Sequence, residues 1–186
     1  MIKKKITATL FASMFLFPCL SVNAESGGNT HSILQTTKST ALQQVLTSFG
    51  DIAIKIPADN KETNSIVMLY DNQCKYCNEF LMNIPTLSSN GITVYVMPFL
   101  NHGAYTPESK SMYLAWSTSK PLTSLLSKQF PSKPDPKIAE RIFEFTKYAK
   151  NQLNVTKTPY LLLENGEFID GLVSPYNLIT YLKSAS

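Results

Sequence analysis

Asp71-Asn72-Gln73-Cys74-Lys75-Tyr76-Cys77 lies between an apolar run, residues 66–70 (IVMLY), and an amphipathic stretch, residues 78–84 (NEFLMNI). The first reads as a buried strand and the second as a helix with Phe80, Leu81 and Ile84 on its inner face. Two cysteines spaced C-x-x-C therefore fall where a strand hands over to a helix. Residues 92–97 (ITVYVM) form another strongly β-prone run. Strand, helix and strand within about 30 residues make a βαβ unit, which requires a parallel strand pair and a right-handed crossover.

Outward from this unit the pattern is mixed α/β. Residues 41–50 (ALQQVLTSFG) place Ala41, Val45, Leu46 and Phe49 at helical spacing, with Gly50 suited to a helix stop. Residues 52–56 (IAIKI) alternate as a strand does. The helix that begins near the cysteines is expected to run to about Ile84, where Pro85 interrupts it. Residues 105–153 read as largely helical. One helix carries Met112, Leu114, Ala115 and Trp116, and a second starts at Pro121 with Leu122, Leu125 and Leu126. A third, residues 137–153, carries Ile138, Ile142, Phe145, Ala149 and Leu153 on one stripe. Near the C-terminus, two short strands flank Glu164-Asn165-Gly166-Glu167, a hairpin signal, and Ser174-Pro175 reads as cap and first residue of a last helix.

The first 24 residues have the plan of a secretory signal peptide. A basic start containing Lys3, Lys4 and Lys5 precedes an apolar stretch and a small-residue ending, with cleavage expected after Ala24. Of 17 basic and 13 acidic residues, three basic ones belong to that segment, so the remainder is nearly neutral. This composition gives no support to a nucleic-acid-binding surface. Cys19 leaves with the signal, and only Cys74 and Cys77 remain of the three cysteines. Export places them in an oxidising compartment, where a disulfide persists. A bacterial periplasm is the expected location. Residues 25–50 are expected to form a short, partly helical N-terminal segment, and residues 51–186 the main domain.

Three readings of the C-x-x-C pair compete. A zinc site needs about four ligands, yet the two histidines, His31 and His102, lie far apart without ligand spacing. A purely structural bridge across two residues closes a very short loop and removes little unfolded-state entropy. The reactive reading fits both position and chemistry. At the first turn of a helix, the Cys74 sulfur meets unpaired backbone N–H groups and the positive end of the helix dipole, the setting of a nucleophilic sulfur. Lys75 adds a nearby cation. Cys77, inside the helix, is spaced to attack a mixed disulfide formed on Cys74. Asp71 could assist proton transfer, although the usual exposure of aspartate favours a surface carboxylate at the strand end. Tyr76 and Trp116 are candidates either for a peptide-binding groove or for packing.

Cys-x-x-Cys at a helix start, followed some 80 residues later by Thr158-Pro159 before a hairpin, resembles the thioredoxin fold. The resemblance extends to the catalytic domain of bacterial periplasmic disulfide isomerases of the DsbC/DsbG type. It is carried by IKIPADNKETNSIVMLYDNQCKYC, NGITVYVMPFLNHG, SMYLAWSTSKPLTSLL and KTPYLLLENGEFIDGL, which span residues 52–186. The implied fold is α/β, thioredoxin-like, with a helical insertion at about 105–153 between the βαβ unit and a C-terminal ββα unit. The resemblance further implies that Pro159 is a cis-proline facing the active site and that Thr158 docks substrate polypeptide. It assigns Lys75-Tyr76 to redox tuning and Cys74 and Cys77 to thiol–disulfide exchange.

The implied partners are disulfide-bonded or thiol-containing proteins and an inner-membrane redox partner of the DsbD type. No metal or organic cofactor is required. The N-terminal dimerisation domain of those isomerases has no room ahead of residue 51, so the oligomeric state stays open. Disulfide isomerase or reductase is the expected activity. A DsbA-like dithiol oxidase, and a thioredoxin-fold chaperone or binding module in secretion or conjugation machinery, are the alternatives.

Overall fold

A computed structural model of the chain describes residues 40–185. The expected signal peptide with its cleavage point at Ala24, the cysteine at 19, His31 and most of the N-terminal segment lie outside the described residues. The first element is helix α1 (Ala41–Phe49). Its capping box is reciprocal: the Thr40 hydroxyl accepts from the Gln43 N–H, and the Gln43 side chain accepts from the Thr40 N–H. Leu42, Val45 and Phe49 are its buried residues. Gly50 does not end the helix through a left-handed turn. It has φ −62° and opens a 3-10 turn, Gly50–Ile52, which shortens the following strand β1 to Ile54–Ile56.

Strands β2 (Asn64–Tyr70) and β3 (Ile92–Pro98) are parallel, in register from Asn64 opposite Ile92 to Tyr70 opposite Pro98. Helix α2 (Lys75–Ser89) makes the crossover and packs on β3. Strands β4 (Tyr160–Leu163) and β5 (Phe168–Asp170) complete a five-stranded sheet of order β1-β3-β2-β4-β5, in which only the β2–β3 pair is parallel. Every residue of β2 from Ser65 to Tyr70 is buried. Successive side chains in a strand point to opposite faces, so helices cover both sides of the sheet here.

Between β3 and β4 lie α3 (Pro107–Trp116), α4 (Pro121–Ser127) and α5 (Pro136–Gln152). Helix α6 (Pro175–Ser184) ends the fold and packs on α2. Each of these four helices begins with proline, whose missing N–H costs nothing in a first turn. Thr106, Asp135 and Ser174 cap three of them with a side-chain oxygen. The hairpin between β4 and β5 forms as expected, but not as a two-residue turn with both central residues left-handed. Gly166 (φ +88°) alone is left-handed there, and the Glu167 carbonyl accepts from the Leu163 N–H.

Helix α2 also runs past Pro85 for four further residues. Proline removes the hydrogen bond to the Leu81 carbonyl. Leu87, fully buried one half-turn later, and the Asn90 N–H, which bonds the Leu87 and Ser88 carbonyls, hold the last turn in place. Tertiary packing thus overrides the local break. Leu87→Ala is expected to lower unfolding free energy by about 2–5 kcal/mol, whereas Thr86→Ala on the exposed side of that turn changes it by less than about 0.5 kcal/mol. Chemical denaturation of both variants checks this; equal small effects would show that the turn after Pro85 is not packed.

Candidate active site

Cys74 is the N-cap of α2. Its Sγ accepts a hydrogen bond from the Cys77 N–H at 3.2 Å, which satisfies one of the helix's unpaired first-turn donors. The same sulfur donates to the Thr158 carbonyl oxygen at 3.3 Å. Thr158-Pro159 is a cis peptide, so the expected cis-proline is in place and its preceding residue lies against Cys74. The register explains the meeting. Leu69 pairs with Tyr160 across the antiparallel β2–β4 ladder, which sets the residues leaving β2 opposite those entering β4.

The two cysteines are free thiols in different surroundings. Cys74 is half-buried and Cys77 fully buried. Burial pushes the Cys77 thiol well above the usual thiol range; the Asp71 backbone N–H and the Thr158 side chain act against this, and the neighbouring Cys74 adds to it. Lys75 and Tyr76, the first residues of α2, are exposed, with Tyr76 at 54%. Among the described residues, no group of three or more His, Cys, Asp and Glu side chains could hold a metal ion.

One sequence expectation is corrected. Asp71 is not a surface carboxylate: it is 3% exposed. The backbone folds tightly there, with the Cys74 N–H on the Asp71 carbonyl and the Gln73 N–H on Asp71 Oδ1, and this draws the side chain inward. For Trp116, left open between groove and packing, the structure shows packing. It is buried, its indole N–H donates to the Ile52 carbonyl at 2.9 Å, and its ring stacks on Tyr70.

The sequence reading missed the imidazole of His102, whose Nε2 stands 3.7 Å from Asp71 Oδ2. Histidine and carboxylate lie 31 positions apart, and only the parallel β2–β3 pair brings their strand ends together. A carboxylate directly after five apolar residues was the one available hint. Tyr70, also at that strand end, donates from its hydroxyl to Asn78 Oδ1 at 2.9 Å.

Residues 50–186 match the family described as Thioredoxin-like domain. The chain belongs to that family. Among curated proteins it is similar to the thiol:disulfide interchange protein DsbC of Haemophilus influenzae, 26% identical over 145 residues, covering 76% of this chain and 61% of that protein. The protein of the same name from Pasteurella multocida is 26% identical over 153 residues, covering 80% of this chain and 65% of that one. The chain therefore spans less than two thirds of either relative. Among solved structures, this thioredoxin-like domain is similar to the catalytic domain of Proteus mirabilis ScsC (TM-score 0.57, 15% identity, 76% of this chain and 96% of that one). It is also similar to a disulfide interchange protein from Neisseria gonorrhoeae (TM-score 0.56, 20% identity, 72% of this chain and 95% of that one). These likenesses establish the thioredoxin-like α/β fold.

Burial raises the Asp71 carboxyl above the ordinary carboxylate range, opposed by the Gln73 N–H and the nearby His102. A raised folded-state value means that the ionised form costs stability once pH exceeds that of the unfolded carboxyl. Asp71→Asn should therefore unfold at a higher denaturant midpoint than the parent at about pH 8. The gain should shrink as pH falls through the folded-state value and vanish below about 3, where the parent carboxyl is protonated in both states. A less stable variant at the higher pH would contradict this account of the burial.

Proposed function

We propose that this chain is an exported thiol–disulfide oxidoreductase acting on protein disulfides in the periplasm, working as an isomerase or reductase. The observation that carries the reading is the placement of Cys74 Sγ. It caps a helix, touches the cis-proline loop and remains accessible, with a second, buried thiol in the same helical turn. The family membership and the name shared by the two curated relatives support it.

In this reading the Cys74 thiolate attacks one sulfur of a substrate disulfide. The substrate S–S bond breaks, a Cys74–substrate bond forms, and the departing substrate sulfur takes up a proton. The thiolate of Cys77 then attacks Cys74 Sγ. Its proton passes to solvent, the second substrate sulfur leaves and becomes protonated, and Cys74 and Cys77 end as a disulfide while the substrate has gained two electrons. When a substrate thiolate instead attacks the substrate sulfur bonded to Cys74, a new substrate S–S bond forms, Cys74 departs as a thiolate and the substrate disulfide has been exchanged without net redox change. In this second route the charge arriving on Cys74 meets the Cys77 N–H and the helix N-terminus.

Thr158, beside Cys74, is the proposed docking point for extended substrate, with Pro159 shaping its loop and Lys75-Tyr76 tuning the redox balance. A DsbD-type inner-membrane partner would return the oxidised pair to the dithiol. The catalytic unit is residues 51–186, with the insertion at 105–153 as part of it, and the first 24 residues serve export.

Cys74→Ala should reduce the rate of peptide-disulfide reduction by about a hundredfold or more. Cys77→Ala should retain the first attack and accumulate a protein–peptide mixed disulfide, visible by intact mass. If Cys74→Ala instead keeps full reductase activity or full rescue of a disulfide-containing client, the exchange reading fails and a thiol-independent binding module takes its place.

A further inference from the structure

Asp71 lies in the turn between β2 and α2, and its main chain touches both cysteines. Its carbonyl oxygen accepts from the Cys74 N–H at 3.1 Å, and its own N–H acts on the Cys77 thiol. The side chain braces the same turn, since Oδ1 accepts from the Gln73 N–H at 2.8 Å. Oδ2 is buried and makes no hydrogen bond. His102 Nε2, on the loop after β3, stands 3.7 Å from it, too far for a hydrogen bond but close enough for an ion pair. The parallel strand pair makes the contact: Tyr70 opposite Pro98 sets the turn after β2 beside the loop after β3.

The two partners differ in their access to water. The imidazole is 55% exposed and the carboxylate 4% exposed, so solvent loads a proton on one while the other is enclosed. Burial holds the Asp71 carboxyl toward its neutral form, and Glu108, in the first turn of α3, adds to that; His102 and the Asn101 N–H act the other way. The remaining titratable neighbours bring no positive charge to the site. Tyr70 ends β2, and Cys74 and Cys77 begin α2. On the α5 side, Lys150 is engaged with the Leu100 carbonyl at 3.3 Å. Among the described residues, His102 is the one basic side chain in ion-pair contact with Asp71.

From this arrangement we infer that His102 is a positioning residue for the exchange reaction: in its protonated form it pairs with the Asp71 carboxylate and clamps the turn that presents Cys74. The inference rests on the exchange reading proposed above. Two effects act in the same direction. The balanced carboxylate takes the Gln73 N–H as a charge-assisted hydrogen bond and stiffens the chain leading into Cys74. An unbalanced negative charge in this turn opposes a thiolate forming on Cys74, and the imidazolium offsets it. The proton on His102 comes from solvent and returns there, so the bonds made and broken in exchange are unchanged. Histidine side chains generally change charge between about pH 5 and 8. The clamp is therefore set in mildly acidic medium and released above it.

The test follows single-turnover reduction of a cyclic peptide disulfide by the reduced protein at about pH 5.5 and about pH 8, on either side of histidine's usual transition. The parent is compared with His102→Gln and His102→Arg, and the same two changes are made in Asp71→Asn. Arginine carries its charge at both pH values. At the lower pH the parent should match His102→Arg within about twofold and exceed His102→Gln by about three- to fivefold, the scale of one partly exposed ion pair. At the higher pH the parent should fall to the His102→Gln rate while His102→Arg keeps its advantage. Ratios taken at one pH remove the titration that all variants share. In the Asp71→Asn background, histidine, glutamine and arginine at 102 should give equal rates, because the partner is gone. His102 is largely exposed, so folding is not at risk. A parent-to-glutamine ratio that stays constant with pH, or an equal effect of His102→Gln in Asp71→Asn, overturns the clamp and leaves the exchange reading standing. No reduction of the peptide by the parent at either pH removes that reading and the inference with it.

Discussion

A single sulfur atom ties together two segments 84 residues apart. Cys74 Sγ receives the N–H of Cys77 from its own helix and lies on the carbonyl of Thr158 from the loop that enters β4. The meeting depends on the antiparallel β2–β4 ladder, whose last pair is Leu69 with Tyr160. Shifting that ladder by one residue would turn every buried side chain of β4 to the opposite face. The buried faces of β2 and β4 therefore fix the register, and the register fixes the sulfur against the loop.

Around that contact the fold separates two like groups by environment. Helix geometry places Cys77 three residues into the chain from Cys74 and turns it into the core, where it is fully buried while Cys74 keeps contact with solvent. The first thiol is available to an incoming disulfide. The second is held protonated by burial until a bond to its neighbour calls for it. Asp71 belongs to the same economy of burial, since its backbone carbonyl fixes the Cys74 N–H while its carboxyl is enclosed beside His102. The insertion of α3, α4 and α5 adds what a bare βαβ–ββα framework lacks, an aliphatic wall facing α2.

Much of this was legible in the chain. Apolar residues 66–70, the C-x-x-C spacing and residues 92–97 specify a βαβ unit through local patterning alone, and prolines at 121 and 175 mark helix starts because their fixed geometry suits a first turn. The cis Thr158-Pro159 bond and its place beside Cys74 followed from family resemblance rather than from any local signal. Other features are set by contacts that no local pattern encodes. Pro85 reads as a helix end, and only the burial of Leu87 shows why the helix continues. Asp71 reads as surface because aspartate usually is, and the choice between groove and packing for Trp116 is made only by its N–H on the Ile52 carbonyl. Leu126 looks like a core residue of an amphipathic helix, yet it stands in solvent opposite Met82.

Two sulfurs in one helical turn differ in their access to solvent, Cys74 partly open and Cys77 buried. Brief alkylation of the reduced, native protein with iodoacetamide at neutral pH, with the modified positions mapped by mass spectrometry, measures that access directly. The predicted result is modification at Cys74 while Cys77 stays unmodified until denaturant is added. Modification of Cys77 as fast as Cys74 in the native protein would contradict it.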